Sequence, residues 1–230
     1  MTDKTALRDA ATIVLLRDRR TRPAVLMGQR GAGAAFMPSK YVFPGGAVDA
    51  ADAGIPLAAP PGPTCRARLT DDSRATPQAL AAAAIRELWE ETGQVLGSPG
   101  AWADAPRGWR GFAATGHVPD ASGLCFIFRA VTPPGRPRRF DARFFLAEAE
   151  ALATDPDDFT RAEDELRHLH WVPLDRARAL DLPFITEVVL AEIAANLGRP
   201  GPPETVPFFR NDDEAHLVTR LAGRRPLDPA

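Results

Sequence analysis

Residues 76–93 read TPQALAAAAIRELWEETG and carry helix signals at both ends. Thr76 suits the N-cap, and Pro77 suits the first helical position, where its missing N–H is no loss. Gly93 is placed to leave the helix in a left-handed conformation. With about 100° between successive residues, Ile85, Leu88 and Trp89 gather on one side, and Glu87, Glu90 and Glu91 gather roughly opposite. The plain reading is an amphipathic helix with a solvated acidic face. Three details weigh against it. Glu87 has like charges at i+3 and i+4, each unfavourable by about 0.2–0.5 kcal/mol. Glu90 and Glu91 lie in the last turn, where the helix dipole disfavours anions by about 0.3–1 kcal/mol each. Only Arg86, four residues before Glu90, relieves the cluster. Self-repelling carboxylates of this kind become favourable around Mg²⁺ or Mn²⁺.

The segment RELWEETG resembles the second half of the Nudix box, R-E-hydrophobic-x-E-E-x-G. The first half should be a glycine, five residues and a glutamate, then seven residues before the arginine. Directly upstream it is absent: Gln78 stands at the glutamate position and Asp72 at the glycine position. It is found earlier, in YVFPGGAVDAAD at 41–52, where FPGG precedes the acid Asp49. The box therefore reads as split by an insertion at 53–78. With FMPSKYVFPGG in front, the chain resembles the Nudix subgroup of coenzyme A and acyl-CoA diphosphatases with an interrupted motif. The resemblance runs from Asp9 to about Leu197. Gln94, where a hydrophobic residue is usual, departs from the motif.

The resemblance implies a set of roles. Glu87, Glu90, Glu91 and the backbone carbonyl near Gly46 would hold Mg²⁺ or Mn²⁺, and Arg86 would brace a carboxylate. The general base would be Glu87, Glu90 or Glu165, with Glu163 and Asp164 as rivals of Glu165. Arg30 and Lys40 are candidates to meet phosphates. Arg138, Arg139 and Arg143 are candidates for a 3′-phosphate or the diphosphate, because guanidinium forks fit phosphate oxygens. Ordinary surface charge is the competing reading for all five cations.

The remaining elements follow from patterning. Apolar runs at 11–18 and 23–30 read as a hairpin, 124–132 and 140–147 as buried strands, and 183–197 as an amphipathic helix ending at Gly198. In 140–147 the alternation puts Asp141 and Arg143 on one side. Strands early, one acidic helix, further strands and a closing helix indicate a mixed sheet between helices. The resemblance sharpens this to an α/β fold of the Nudix α/β/α sandwich type. The expected organisation is one domain over 1–200 and a tail or packing arm over 201–230. The 53–78 insertion is expected to be a long loop with a short helix, beside the site but supplying no metal ligand.

Composition limits the alternatives. The net charge of −2 argues against a dedicated nucleic-acid binder. Two cysteines, Cys65 and Cys125, do not make a disulfide framework. No apolar run approaches the ~18 residues of a membrane span, and no secretory h-region is visible, so a cytoplasmic location is expected. The expected partner is a small-molecule nucleotide, with no nucleic acid and no membrane; homodimerisation is left open. The expected reaction is hydrolysis of coenzyme A or acyl-CoA to a phosphopantetheine and adenosine 3′,5′-bisphosphate. The alternatives are the same chemistry on ADP-ribose, NADH or another nucleoside diphosphate conjugate, and a non-catalytic Nudix module that only binds.

Overall fold

The computed structural model describes residues 6–34, 36–199, 201–212 and 215–221. The chain opens with β1 (Leu7–Arg17) and β2 (Ala24–Arg30), the expected antiparallel hairpin. Two short strands follow, β3 (Tyr41–Val42) on β2 and β4 (Gly45–Ala47) on β1. Helix α1 (Pro63–Leu69) lies in the insertion, and α2 (Pro77–Thr92) is the acidic helix. An annex of β5 (Gly97–Pro99), α3 (Arg110–Ala113) and β6 (His117–Pro119) comes next. Then follow β7 (Cys125–Val131), β8 (Arg139–Glu148), β9 (Leu166–Pro173), α4 (Phe184–Ala195), β10 (Val206–Asp212) and β11 (Ala215–Leu221).

Helix α2 ends where its residues say it should. The Thr76 hydroxyl accepts the Ala79 N–H at 3.1 Å, and Gly93 takes a left-handed φ of 73°. Each such cap is worth about 1 kcal/mol.

Among the described residues, nine strands form one mixed sheet, with the path β11-β10-β7-β8-β1-β2-β3 and with β4 on β1 and β9 on β2. The pairs β1–β8 and β7–β10 are parallel, and the rest are antiparallel. Side chains alternate across the sheet, so β1 feeds two cores. Ala11, Ile13 and Leu15 pack with Leu80, Ile85 and Leu88 of α2, while Val14 and Leu16 pack with Val189, Leu190 and Ile193 of α4. This is the expected α/β fold with a mixed central sheet. Of the stretch read as a tail or packing arm, two strands join the sheet beyond β7. No described helix is long and apolar enough to cross a membrane.

Asp141 and Arg143 do share one side of β8, but that side is interior. Arg143 is 1% exposed. It donates to Asp9 at 2.6 Å, to the Asp141 carbonyl at 2.8 Å and to the Ser73 hydroxyl at 2.8 Å. Arg129 of β7 forks onto the Asp141 carboxylate at 2.7–2.8 Å and donates to the carbonyls of Asp71 and Asp72. The expectation that Arg143 meets a substrate phosphate is therefore corrected. Its charge is matched inside the protein, and water or ligand cannot reach it.

The same network docks the insertion. Residues 71–73 sit on Arg129 and Arg143, and the Arg68 guanidinium donates to the carbonyls of Pro203 and Glu204 at 2.6 Å. The Cys65 thiol lies between the Leu124 carbonyl and the Phe126 N–H on β7. The insertion thus lies along β7 and meets α2 at its N-terminal end. From that contact the glutamate end of the helix is about 20 Å away, at 1.5 Å per residue, whereas the first residues of the insertion directly follow Asp52, which grips Arg86.

Removing one member of a buried ion-pair cluster leaves the others uncompensated, at a cost of about 3–5 kcal/mol. Arg143→Met is expected to lower unfolding stability by that amount, read as a fall in the urea midpoint. A surface arginine would move it by less than about 0.5 kcal/mol.

Candidate active site

Arg86 is the hub of the site. It projects from α2 into the angle between the helix and the FPGG turn, and is 9% exposed. Its Nε and Nη2 grip the Asp52 carboxylate at 3.1 and 3.2 Å, and Nη2 also donates to the Ala47 carbonyl at 2.9 Å. Its Nη1 donates to Glu87 at 2.8 Å and Glu90 at 2.9 Å. Burial pulls its pKa down, but the Asp52 hydrogen bond and the charges of Glu87, Asp52 and Glu90 outweigh it and raise the value. Arg86 is charged at every accessible pH.

Asp52 was missed by the sequence reading, which took Asp49 as the acid of the first half-box. The signal was present: five residues separate Gly46 from Asp52. The Asp49 N–H instead donates to the Asp52 carboxylate at 2.8 Å, holding Asp52 toward Arg86. Asp52 is 1% exposed. Asp52 and Arg86, 34 residues apart in sequence, meet in this ion pair.

The glutamates sit beside the β4 turn. Glu91 is 2% exposed. Its Oε2 accepts the Gly45 N–H at 2.7 Å, and its Oε1 is buried with no partner. Burial, then the Glu87 and Glu165 charges, push the Glu91 carboxyl well above its ordinary range, against the Gly45 hydrogen bond and Arg30. Glu87 lies against Gly46 so closely that a Cβ there would come within 2.6 Å of Oε2. Only glycine lets the backbone and this carboxylate share the space. Burial pushes Glu87 up to about 7, with Glu90 and Glu165 adding to the rise and Arg86 opposing it. Glu90 is raised as well, first by burial.

The β8–β9 connection brings two more acids. The Glu163 N–H donates to the Glu90 carbonyl at 2.9 Å, tying the connection to the end of α2. Glu165, just before β9, has a side chain 56% exposed and pairs with Arg30 at 2.9 Å. The structure thus gathers Glu87, Glu90, Glu91, Gly46, Glu165, Arg30 and Arg86. Lys40 pairs with Asp181 instead. Arg138 is exposed on the β7–β8 turn, and Arg139 donates its Nε–H to the Thr132 carbonyl at 3.2 Å. Strand β8 begins at Arg139, opposite Leu7, five residues along β1 from the Thr12 that faces Gly45. That is about 17 Å at 3.3 Å per residue. Arg138 and Arg139 are therefore not among the residues brought to the glutamates.

Among the described residues, no three His, Cys, Asp or Glu side chains stand ready as a metal cage. Glu87 and Glu90 are both drawn onto Arg86. The donor set nevertheless fits Mg²⁺ or Mn²⁺, since every candidate is a hard oxygen. Glu91 Oε1 is the deciding observation, because a buried carboxylate oxygen without a donor is unfavourable until a cation or proton meets it.

Comparison with known proteins bears on the fold and on family likeness. No family model matches the chain. A Caenorhabditis elegans protein named "Putative nudix hydrolase 7" is 31% identical over 178 residues, covering 72% of this chain and 51% of that protein. The chain thus spans about half the length of this curated relative. The crystal structure of a NUDIX hydrolase from Alicyclobacillus acidocaldarius superposes with a TM-score of 0.63 at 29% identity, covering 86% of this chain and 98% of that one. In sequence and in fold the chain is similar to Nudix hydrolases.

The raised pKa of Glu87 has a sign in stability. Between its ordinary value of 4.5 and about 7, the folded protein holds a proton that the unfolded chain has released. Stability therefore falls as pH rises through that window. The metal-free protein is expected to melt lower at pH 8 than at pH 5. Glu87→Gln is expected to remove up to about 3 kcal/mol of that loss, read by thermal unfolding at the two pH values.

Proposed function

We propose that the protein is a divalent-metal-dependent diphosphatase that cleaves the diphosphate linkage of a nucleoside diphosphate conjugate. The substrate class is coenzyme A or acyl-CoA, and the products are a phosphopantetheine and adenosine 3′,5′-bisphosphate. One observation carries the chemistry: two glutamates crowd one arginine beside a glycine turn, and the neighbouring Glu91 is buried with its Oε1 unpartnered. The substrate class rests on the split box and the FMPSKYVFPGG approach to it. In this reading 1–200 is one catalytic domain interrupted at 53–78, with 201–230 appended, acting in the cytoplasm on a small nucleotide.

Glu87, Glu90, Glu91 and the Gly46 carbonyl would hold Mg²⁺ or Mn²⁺. Such an ion neutralises charge developing on the diphosphate oxygens and makes a water molecule more acidic. The chain's own groups do the rest. Arg86, locked by Asp52, keeps Glu87 and Glu90 at a fixed spacing despite their repulsion. Glu165 lies outside the Arg86 fork and reaches solvent, so it is the acid placed to take the proton from water; Glu87 and Glu90 are the rivals for that role. Water oxygen then bonds to phosphorus, and the bridging P–O bond breaks to leave two monophosphates. Arg30 turns from Glu165 to a diphosphate oxygen, and a guanidinium fork suits that oxygen well. Lys40 is held by Asp181, and Arg138 and Arg139 lie apart from the glutamates, so none of the three is given a phosphate here.

The test is a substrate panel of coenzyme A, an acyl-CoA, ADP-ribose and NADH with Mg²⁺ or Mn²⁺. Coenzyme A or acyl-CoA is expected to turn over fastest, and Glu90→Gln is expected to lower kcat at least about 100-fold. Faster turnover of ADP-ribose would overturn the substrate class. No metal-dependent turnover of any diphosphate would leave the protein as a binding module.

A further inference from the structure

We propose that Gln94 is a positioning residue that holds the β8–β9 connection, and with it Glu165, against the catalytic helix. The proposal rests on the hydrolase reading above, in which Glu165 takes the proton. Gln94 is the position at which the motif departs from its usual hydrophobic residue, and the structure gives that departure a purpose.

The Gln94 side chain is fully buried. Its Nε2 donates to the carbonyls of Asp155 at 3.1 Å and Asp158 at 2.9 Å, and its Oε1 accepts the Thr154 hydroxyl at 2.6 Å. Both amide hydrogens are therefore engaged, and the two carbonyls fix which end of the amide is nitrogen. Beside it the Val95 N–H donates to Thr154 Oγ1 at 3.2 Å, and the Ala153 N–H donates to the Val95 carbonyl at 2.8 Å. Gly93 leaves room for Arg161, whose Cβ would lie 2.8 Å from a Cβ at that position.

Connections normally turn their backbone polar groups to water. Here two carbonyls of 155–158 face inward, so the core must supply donors. A leucine or methionine at 94 has none, and a glutamate would set an acceptor against two acceptors. The outer side of the connection is held separately, by Arg17 on Asp157 at 2.9 Å and by the Trp171 indole N–H on the Pro156 carbonyl at 3.0 Å. The inner anchor ties it to the chain just past the end of α2, and the next hydrogen bond along the connection to that helix is the Glu163 N–H on Glu90. The acids that follow act on the site through their charge: Glu163 on Glu90, and Glu165 on both Glu87 and Glu91.

The variant is Gln94→Met, which keeps length and loses the hydrogen bonds, compared with Glu165→Gln and the double variant. The first readout needs no activity. In the metal-free protein the Glu163 amide is expected to exchange its hydrogen at least about tenfold faster in Gln94→Met, while Ile85 in mid-helix is unchanged. The second readout is kinetic. Gln94→Met is expected to lower kcat at least about tenfold with KM within about twofold, since small misplacements of a catalytic group act on the chemical step. The double variant is expected to fall within about twofold of Glu165→Gln alone, because one residue acts through the other. Unchanged exchange at Glu163 overturns the anchor. Faster exchange with unchanged kcat, or losses that multiply in the double variant, overturns the link to Glu165. Full turnover by Glu165→Gln would sink the assigned base instead, and the exchange measurement would still decide on Gln94.

Discussion

Three carboxylates, those of Asp52, Glu87 and Glu90, partly dry and within hydrogen-bond reach of one guanidinium, would drive one another to the neutral form if nothing opposed them. Arg86 opposes them. Its five donors are distributed over Asp52, Glu87, Glu90 and the Ala47 carbonyl. A lysine would offer one compact charge and could not span the same partners. Asp52 in turn fixes the guanidinium, and Asp52 is itself fixed by the Asp49 N–H. The order of dependence runs from backbone to acid, from acid to arginine, and from arginine to the glutamates.

The rest of the fold supplies walls for this cluster. The sheet sets β4 against Thr12, Ala11 and Ala10 of β1, which puts Gly46 under Glu87 and the Gly45 N–H on Glu91. The helix closes the other side by packing its alanines and Ile85 into the core. The segment between Asp52 and Thr76 does not disturb this. It leaves at Asp52, runs along β7, is clamped by Arg129 and Arg143, and returns at Thr76. Such a detour is tolerated because both of its ends are held by the same core that holds the site.

Much of this was legible in the residues. Thr76 and Gly93 marked α2 to the residue, since capping is local chemistry. Strands β7 and β8 and helix α4 lay within a residue or two of their apolar runs. Strands β10 and β11 did not announce themselves, because a sheet edge takes its partner from elsewhere in the chain. Arg143 illustrates the same limit. Alternation correctly put it beside Asp141, but a period of two does not say which side of a sheet is covered. Gln94 looked like a flaw in a motif until its amide was seen to meet two inward carbonyls.

By itself the sequence determined the helix, its acidic face and the apolar runs that become strands, because these depend on neighbours one to four positions apart. Only the tertiary structure decided which acid meets Arg86, that Arg143 is interior, and that one oxygen of Glu91 is left without a donor. Those are facts of burial and of contacts between segments dozens of residues apart. A group's charge state and usefulness follow from what surrounds it, and the surroundings exist only once the chain has closed.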